Sequence, residues 1–157
     1  MAALERMFFY NAWANERIFA VATQLDADRL LAPIEGIYGS VLITARHLLN
    51  VEENYLRMVS GTEPAWPDEH DIATVRARLA DAGTGFATFI AGLGAADLAR
   101  TFRIPWFERE FTIEDGLLQA VTHSIEHRAD LASAITRLGM ETPPIDYIAW
   151  VMAAPAR

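Results

Sequence analysis

Two histidines stand four residues apart in the stretch QAVTHSIEHRADL. Residues at this spacing on an α-helix lie about 40° apart around the axis and about 5 to 6 Å apart along one face. The imidazoles of His123 and His127 can therefore reach one metal ion. His47 lies in another apolar helical segment, and helix packing could bring it to the pair. Three imidazole ligands would leave a coordination position open, as in catalytic metal sites, where a water loses a proton near neutral pH.

A second interpretation stays open for these histidines. The HxxxH spacing alone is weak evidence, so His123 and His127 can also be ordinary helix residues, hydrogen-bonded to neighbours or facing solvent. The fourth histidine, His70, falls in the loop sequence PDEHD and is expected to be exposed rather than to bind metal. Imidazole suits zinc, nickel, copper and iron alike, so the histidines do not select the metal.

Two carboxylates could support such a site. Glu52 interrupts an apolar helical arc, where a carboxylate needs a partner. It either orients a ligand or substrate, or it forms an ion pair with an Arg from another helix. Asp130 could hydrogen-bond a coordinating histidine, or it could pair with Arg128 or Arg137 at the surface.

Buried amides and aromatic rings form two further sets of candidates. Asn11 and Asn15 fall four apart inside an apolar stripe, where each amide needs partners from a neighbouring helix, so we expect them to cross-link helices. Four aromatic residues could wall a pocket, although aromatic residues at helical spacing usually belong to the core. They are Trp13, Tyr55, Trp106 and Phe107.

The elements that must position these residues are four long helices. Apolar residues at three-and-four spacing predict them, with Ser40, Asp71 and Thr112 as starts. Their ranges are 4–25, 39–60, 71–93 and 112–138. Aromatic and β-branched residues between 99 and 112 predict an extended segment or short hairpin, and two prolines introduce a short tail helix over 145–152. The expected fold is an all-α, antiparallel four-helix bundle in a single domain, 1–157.

The third predicted helix contains Gly83 and Gly85. Each glycine costs about 1 kcal/mol relative to Ala in a helix. Their presence indicates either a local kink or a close contact with a neighbouring helix.

Three blocks of the sequence resemble the DinB/YfiT-like family of metalloenzymes. They are YNAWANERI, GSVLITARHLLNVEENYLRMVSG and QAVTHSIEHRADLASAITRLG. The resemblance implies a four-helix bundle in which His47, His123 and His127 bind a divalent metal ion, zinc or nickel. Glu52 stands where many relatives carry an acidic residue. After His127 the chain departs from the family, because Arg-Ala-Asp replaces the frequent Arg-Gly-Gln.

The resemblance also implies a class of reaction. Characterised relatives use a low-molecular-weight thiol such as bacillithiol, mycothiol or glutathione, so we expect a metal-dependent thiol transferase or isomerase acting on a small-molecule substrate. An open metal position favours the thiolate form of such a thiol, which is the nucleophile. The alternatives are a non-catalytic, metal-stabilised stress-response binding protein and a metal-hydroxide hydrolase. Bundles of this kind often pair through apolar helix faces, so a homodimer is expected.

Composition excludes several other functions. The formal net charge of −8 repels phosphate backbones and anionic lipids, so we expect no nucleic-acid or membrane partner. The chain has no Cys, which excludes a thiolate nucleophile of its own, and all its basic residues are Arg, which excludes Schiff-base chemistry. The first residues read as an amphipathic helix rather than a signal peptide, and no apolar run approaches the ~20 residues that cross a bilayer, so the expected location is the cytoplasm.

Overall fold

The computed structural model describes residues 2–66 and 69–153; residues 1, 67–68 and 154–157 of the predicted domain lie outside the described part. The helices are α1 (Ala2–Ala22), α2 (Ala27–Leu31), α3 (Val41–Val59), α4 (Ile72–Ala91), α5 (Ile113–Arg137) and α6 (Tyr147–Ala153). The strands are β1 (Thr101–Arg103) and β2 (Glu110–Thr112), preceded by a 3₁₀ turn at Asp97–Ala99. The predicted four-helix bundle is confirmed, and α1, α3, α4 and α5 are its long helices.

The bundle has an unusual connection order. Each of α1 and α3 packs against both α4 and α5, so that α1 and α3 lie on one diagonal and α4 and α5 on the other. The largest contacts, α3 with α5 and α1 with α4, run antiparallel: Arg76 at the start of α4 pairs with Glu16 near the end of α1. The pairs α3/α4 and α1/α5 run parallel: one apolar cluster collects the starts of α3 and α4 with the ends of α1 and α5, and the other cluster collects the opposite ends. The predicted antiparallel course therefore holds for α3/α5 and α1/α4 but not for these two pairs.

The parallel course of α3 and α4 requires a connection that returns along the bundle. The described parts of this connection, residues 60–66 and 69–71, lie beside α3 in the opposite direction and are held by polar side chains of α3. Arg57 Nε donates to the Glu63 carbonyl at 2.8 Å, Asn54 Oδ1 accepts from the Ala65 amide at 2.7 Å, and Arg46 Nε donates to the His70 carbonyl at 2.7 Å. These three side chains of α3 thus provide hydrogen-bond partners for backbone groups of the connection.

The predicted helix starts are confirmed by their capping bonds. Ser40 Oγ accepts from the Ile43 amide at 3.3 Å, and an Asp71 carboxylate oxygen accepts from the Thr74 amide at 2.7 Å. Thr112 starts α5 with a capping box, in which its own amide donates to the Asp115 carboxylate. The short helix α2 was not predicted, since five residues are too few to show a periodic apolar stripe.

The two glycines of α4 mark close helix contacts, and the helix is unbroken from Ile72 to Ala91. A Cβ on Gly83 would lie 3.1 Å from Ala12 Cβ of α1, and one on Gly85 would lie 2.6 Å from Leu56 Cδ2 of α3. Of the two alternatives for these glycines, a local kink and a close contact with a neighbouring helix, the structure shows the close contact.

The predicted hairpin and tail helix are both present. β1 pairs antiparallel with β2, with Phe102 opposite Phe111. The tail packs on α1, where Tyr10 Oη donates to the Ile145 carbonyl at 3.0 Å and Arg6 Nε donates to Tyr147 Oη at 3.1 Å. Of the helices in the described part, none combines the length and the apolar character needed to span a membrane.

Buried polar residues lie between the two apolar clusters of the core. One cluster contains Ile18, Leu48 and Leu131, and the other contains Phe8, Phe86 and Leu117. The polar residues are Asn11, Asn15, Glu52, Ser124 and Arg128, each at most 3% exposed. We call these five residues the polar layer.

Candidate metal centre

Antiparallel packing of α3 on α5 brings the three predicted histidines together. His47, His123 and His127 each offer a ring nitrogen, and these nitrogens lie within 4.8 Å of one another. His47 Nε2 and His123 Nε2 are 3.0 Å apart. Two nitrogens bound to one zinc ion at tetrahedral angles are about 3.3 Å apart, given Zn–N bonds of about 2.0 to 2.1 Å. The cluster thus has the donor atoms and nearly the spacing of a divalent metal site.

The surroundings keep two of these imidazoles neutral. Desolvation by burial, with the nearby His127 as a second cause, lowers the pKa of His47. Burial followed by the charges of His127 and His47 lowers the pKa of His123 to about 4. Neutral imidazole is the form that coordinates metal, because its unprotonated nitrogen carries the lone pair. At neutral pH the rings of His47 and His123 therefore present lone pairs rather than positive charge.

Asp130 fixes the ring of His127. The two residues lie three apart on α5, and His127 Nδ1 lies 3.1 Å from Asp130 Oδ2, so a proton on Nδ1 is donated to the carboxylate. This bond leaves the lone pair on Nε2, the nitrogen free for a metal ion. Of the alternatives for Asp130, the hydrogen bond to a histidine is the one present. A surface pair with Arg128 is wrong, because Arg128 is 1% exposed.

Glu52 is the hydrogen-bond acceptor at the centre of the polar layer. Its Oε1 accepts from Asn11 Nδ2 at 2.8 Å, Asn15 Nδ2 at 2.9 Å and Ser124 Oγ at 2.6 Å. The carbonyl oxygens of the same two amides accept from Arg128 Nη1, at 2.8 Å for Asn15. The expectation that Asn11 and Asn15 cross-link helices is confirmed, since they join α1 to both α3 and α5.

The amides separate two buried charges. Glu52 and Arg128 make no direct ion pair, but each amide dipole points its N–H end at the carboxylate and its carbonyl end at the guanidinium. Burial lowers the pKa of Arg128, and the negative charge of Glu52 opposes that shift. Ser124 and Arg128 follow His123 and His127 directly on α5, so the layer holds the part of the helix that carries both histidines. The sequence analysis missed the role of Arg128, although Arg128 lies four residues after Ser124 and therefore on the same face of α5.

His70 lies apart from the cluster. Its Nε2 is in contact with Arg78 Nη1, whose guanidinium also binds Glu53 at 2.7 and 2.8 Å. The expectation that His70 is not a ligand agrees with its absence from the three-histidine group, although its side chain is half-buried rather than exposed.

Tyr38 covers one side of the cluster and was missed in the sequence. Its ring stacks on His47 with centroids 4.5 Å apart, and it meets His127 edge-on at 6.2 Å. It lies in a turn between Gly36 and Gly39, both at positive φ, where no helical periodicity could identify it.

A cleft of 590 Å³ opens beside the cluster, between the hairpin and the first turns of α5. Tyr55 and Phe107 line it, as predicted, whereas Trp13 and Trp106 do not. Arg17 covers the ring of Trp13, and Trp106 packs on Trp66 instead. The remaining lining residues are Ile104, Arg109, Phe111, Asp115, Gly116, Leu118, Gln119 and Thr122. Thr122 directly precedes His123, although none of the three histidines is itself a lining residue.

Solved structures share this fold at low sequence identity. A DinB-like protein of Bacillus cereus superposes with a TM-score of 0.75 at 15% identity, covering 92% of this chain and 96% of that one. The DinB-like protein YjoA of Bacillus subtilis gives 0.72 at 16% identity, covering 89% and 96%. YfiT of Bacillus subtilis, described as a probable metal-dependent hydrolase with an unusual four-helix bundle topology, gives 0.72 at 20% identity, covering 88% and 89%.

The sequence itself carries the family assignment. No curated protein matches the chain. The sequence model of the DinB family matches residues 1–156. With this match over almost its whole length, the chain belongs to the DinB family.

Proposed function

We propose that this protein is a metal-dependent transferase that joins a low-molecular-weight thiol, of the bacillithiol, mycothiol or glutathione type, to a small electrophilic substrate. The observation that carries the proposal is the convergence of three imidazoles with no carboxylate among the ligand atoms. A divalent ion held by neutral ligands keeps its full charge, and it lowers the pKa of a thiol or a water bound beside it. The chain supplies no thiol of its own, because it has no Cys.

The residues around the cluster have defined tasks in this proposal. His47, His123 and His127 hold the ion, and Asp130 orients His127. Glu52 does not touch the ligands by hydrogen bond; it holds Ser124 and thereby the α5 turn that carries His123. Zinc or nickel is the expected metal, and a homodimer in the cytoplasm stays a prediction.

Hydrolysis by an activated water is the second candidate. It is favoured by the structural similarity to YfiT, which is described as a probable metal-dependent hydrolase. A hydrolase needs no thiol, whereas a transferase does nothing without one. A metal-stabilised binding protein, the third alternative, would bind the ion and perform neither reaction.

The test uses untagged protein substituted with cobalt, whose visible spectrum reports its ligands. One cobalt per chain is expected in the parent and in the control His70→Ala, and a strong loss is expected in His47→Ala and His123→Ala. Adding a physiological thiol should then shift the cobalt spectrum of the parent at neutral pH.

Three outcomes separate the candidates. A thiol-induced shift, with turnover of a model electrophile only when thiol is present, supports the transferase. Ester hydrolysis without thiol, lost in His123→Ala, replaces it with the hydrolase. A spectrum unchanged by all three thiol types, with no hydrolysis, leaves the binding protein and refutes the transferase.

A further inference from the structure

We propose that the cleft beside the histidines binds an organic anion: a molecule with an aromatic or alkyl body and a terminal carboxylate that Arg109 recognises. We infer further that this anion is the substrate that meets the nucleophile, and only this second step rests on the proposed function. The cleft volume of 590 Å³ is within the range of about 300 to 1,000 Å³ that is typical of small-molecule sites.

The apolar walls of the cleft specify the body of the ligand. Ile104, Phe107 and Phe111 face it from the hairpin side, and Leu118 faces it from α5. The rings of Phe107 and Phe111 contact each other edge-on, with centroids 5.6 Å apart, so the pair presents apolar ring surface at two orientations. Phe107 and Leu118 are nearly half exposed, so a ligand would remove apolar surface from water.

Arg109 specifies the charged end. Its guanidinium lies 5.0 Å from the Phe111 ring centroid, and within the described residues no ion pair includes it. Asp115, the acidic residue of the cleft lining, accepts with its Oδ2 from both the amide and the hydroxyl of Thr112. These hydrogen bonds are the largest causes that lower the pKa of Asp115 and the charge of Arg109 is the smallest, and Asp115 and Arg109 form no ion pair. An arginine with free donors in an aromatic cleft fits a carboxylate, to which it can donate two parallel hydrogen bonds.

The positions of the lining residues orient the ligand. Arg109 and Phe111 precede α5, whereas Gln119 and Thr122 lie one turn and one residue before His123. Asp115 to Thr122 is seven residues, or about 10 Å of helix at 1.5 Å per residue. Burial raises the pKa of Tyr55, so its hydroxyl stays protonated and can donate to a ligand. A molecule about 10 Å long, with its carboxylate on Arg109, would extend along α5 towards Thr122, the residue before His123.

The experiment measures binding of two matched probes to the full chain loaded with zinc, by calorimetry in low salt. The probes are 4-phenylbutyrate and its neutral analogue 4-phenylbutan-1-ol. Arg109→Gln should raise the Kd of the acid about fivefold or more, and should leave that of the alcohol within about twofold, as expected for a partly exposed ion pair. Arg103→Gln, on the same hairpin but outside the cleft lining, should change neither Kd.

A second pair of variants tests the apolar walls. Phe107→Ala should weaken the binding of both probes. Trp106→Ala, which removes the neighbouring ring outside the lining, should weaken the binding of neither; thermal unfolding checks that each variant is folded.

The proposal is overturned if the parent does not bind the acid more tightly than the alcohol, or if Arg109→Gln binds the acid as the parent does. Loss of acid binding in His47→Ala but not in Arg109→Gln would likewise overturn it, because the anion would then bind the zinc ion. Arg109-dependent binding without any thiol response of the cobalt site would keep the cleft and refute only the transferase.

Discussion

Glu52 accepts three hydrogen bonds on one oxygen, while its other oxygen has no partner among the described residues. A buried carboxylate of this kind stabilises the fold only while its donors and the opposing charge are present. Glu52→Ala would strand two amide donors and leave Arg128 without a counter-charge. We expect it to lower the free energy of unfolding by about 3 to 5 kcal/mol, measured by urea denaturation.

The matched control for this substitution is the next residue. Glu53 makes an ion pair with Arg78 near the surface, with both side chains partly exposed. Exposed pairs contribute about 0 to 1 kcal/mol, so Glu53→Ala should cost no more than about 1 kcal/mol. An equal decrease in the free energy of unfolding in the two variants would show that Glu52 contributes no more to stability than a surface ion pair.

The neutral imidazole of His123 makes the metal-free fold sensitive to acid. Its pKa is about 4 in the folded chain, against an ordinary value of 6.5, so between these values the unfolded chain binds a proton that the folded chain does not. Stability is therefore fully present above about pH 6.5 and falls as the pH falls towards 4. The lowered pKa of His47 acts in the same direction.

We expect the urea midpoint of metal-free protein to decrease as the pH is lowered from 7 to 5. The decrease should be smaller in His123→Ala. Thr122→Ala, which removes a neighbouring side chain that does not titrate in this range, should retain the slope of the parent. The series stops at pH 5 because carboxyl groups with lowered pKa values, such as Asp71 and Asp97, lose their contribution in more acidic solution. A slope unchanged in His123→Ala would assign the acid sensitivity to other groups.

Among the elements, the hairpin depends on one close contact with α5. A Cβ on Gly116 would lie 2.7 Å from Phe102 Cζ and 2.8 Å from Val59 Cγ1, so the hairpin and α3 both close over this position. Gly116→Ala gains up to about 1 kcal/mol of helix propensity but overpacks a buried contact, which costs about 1 to 3 kcal/mol. We expect net destabilisation in thermal unfolding. Gly92→Ala is the control, because its added Cβ would make only ordinary contacts of 3.5 Å and longer.

Elements with a local signal could be predicted from the sequence. Ser40, Asp71 and Thr112 accept the capping bonds expected of them, and apolar periodicity located the four long helices. The parallel course of α3 and α4 could not be predicted, because it depends on tertiary hydrogen bonds from α3 to the connecting residues, such as those to the Glu63 and His70 carbonyls.

The same distinction applies to the candidate site. The spacing of His123 and His127 is local and was informative. His47 was a candidate from its place in an apolar helical segment, but only the family resemblance joined it to the pair, because the packing of two helices has no local signal. Tyr38 lies in an irregular turn, and its stacking on His47 depends on the packed structure. Arg128 carries a charge that predicts exposure, and its burial depends on residues of other helices, among them Asn11 and Asn15, which accept its hydrogen bonds.

At the scale of the whole molecule, the expected homodimer is open to direct measurement. The chain has a mass of 17.4 kDa, so sedimentation equilibrium of untagged protein should give twice this value. A mass of one chain at concentrations of about 10 μM and above would contradict the prediction, and the histidine cluster, which comes from a single chain, would be unaffected.

Metal binding beside the polar layer should increase the stability of the whole fold. The polar layer interrupts the apolar core between its two clusters, and the histidines bridge α3 and α5 beside this interruption. In the unfolded chain His47 and His123 are separated by 76 positions, so the ion binds the folded state far more tightly. Free zinc at 100 times its Kd should therefore stabilise the fold by about 2.7 kcal/mol, or roughly 5 to 10 °C in Tm for a chain of this size.

Thermal unfolding with increasing zinc checks this prediction. The shift should vanish in His47→Ala and persist in His70→Ala, and calcium, which prefers oxygen ligands, should produce none in any variant. A zinc shift retained in His47→Ala would place the ion elsewhere on the acidic surface. Because the linkage requires binding but no turnover, the result applies equally to an enzyme and to a binding protein. A zinc-stabilised fold without thiol or hydrolytic chemistry would mean that the ion in this bundle serves the fold itself.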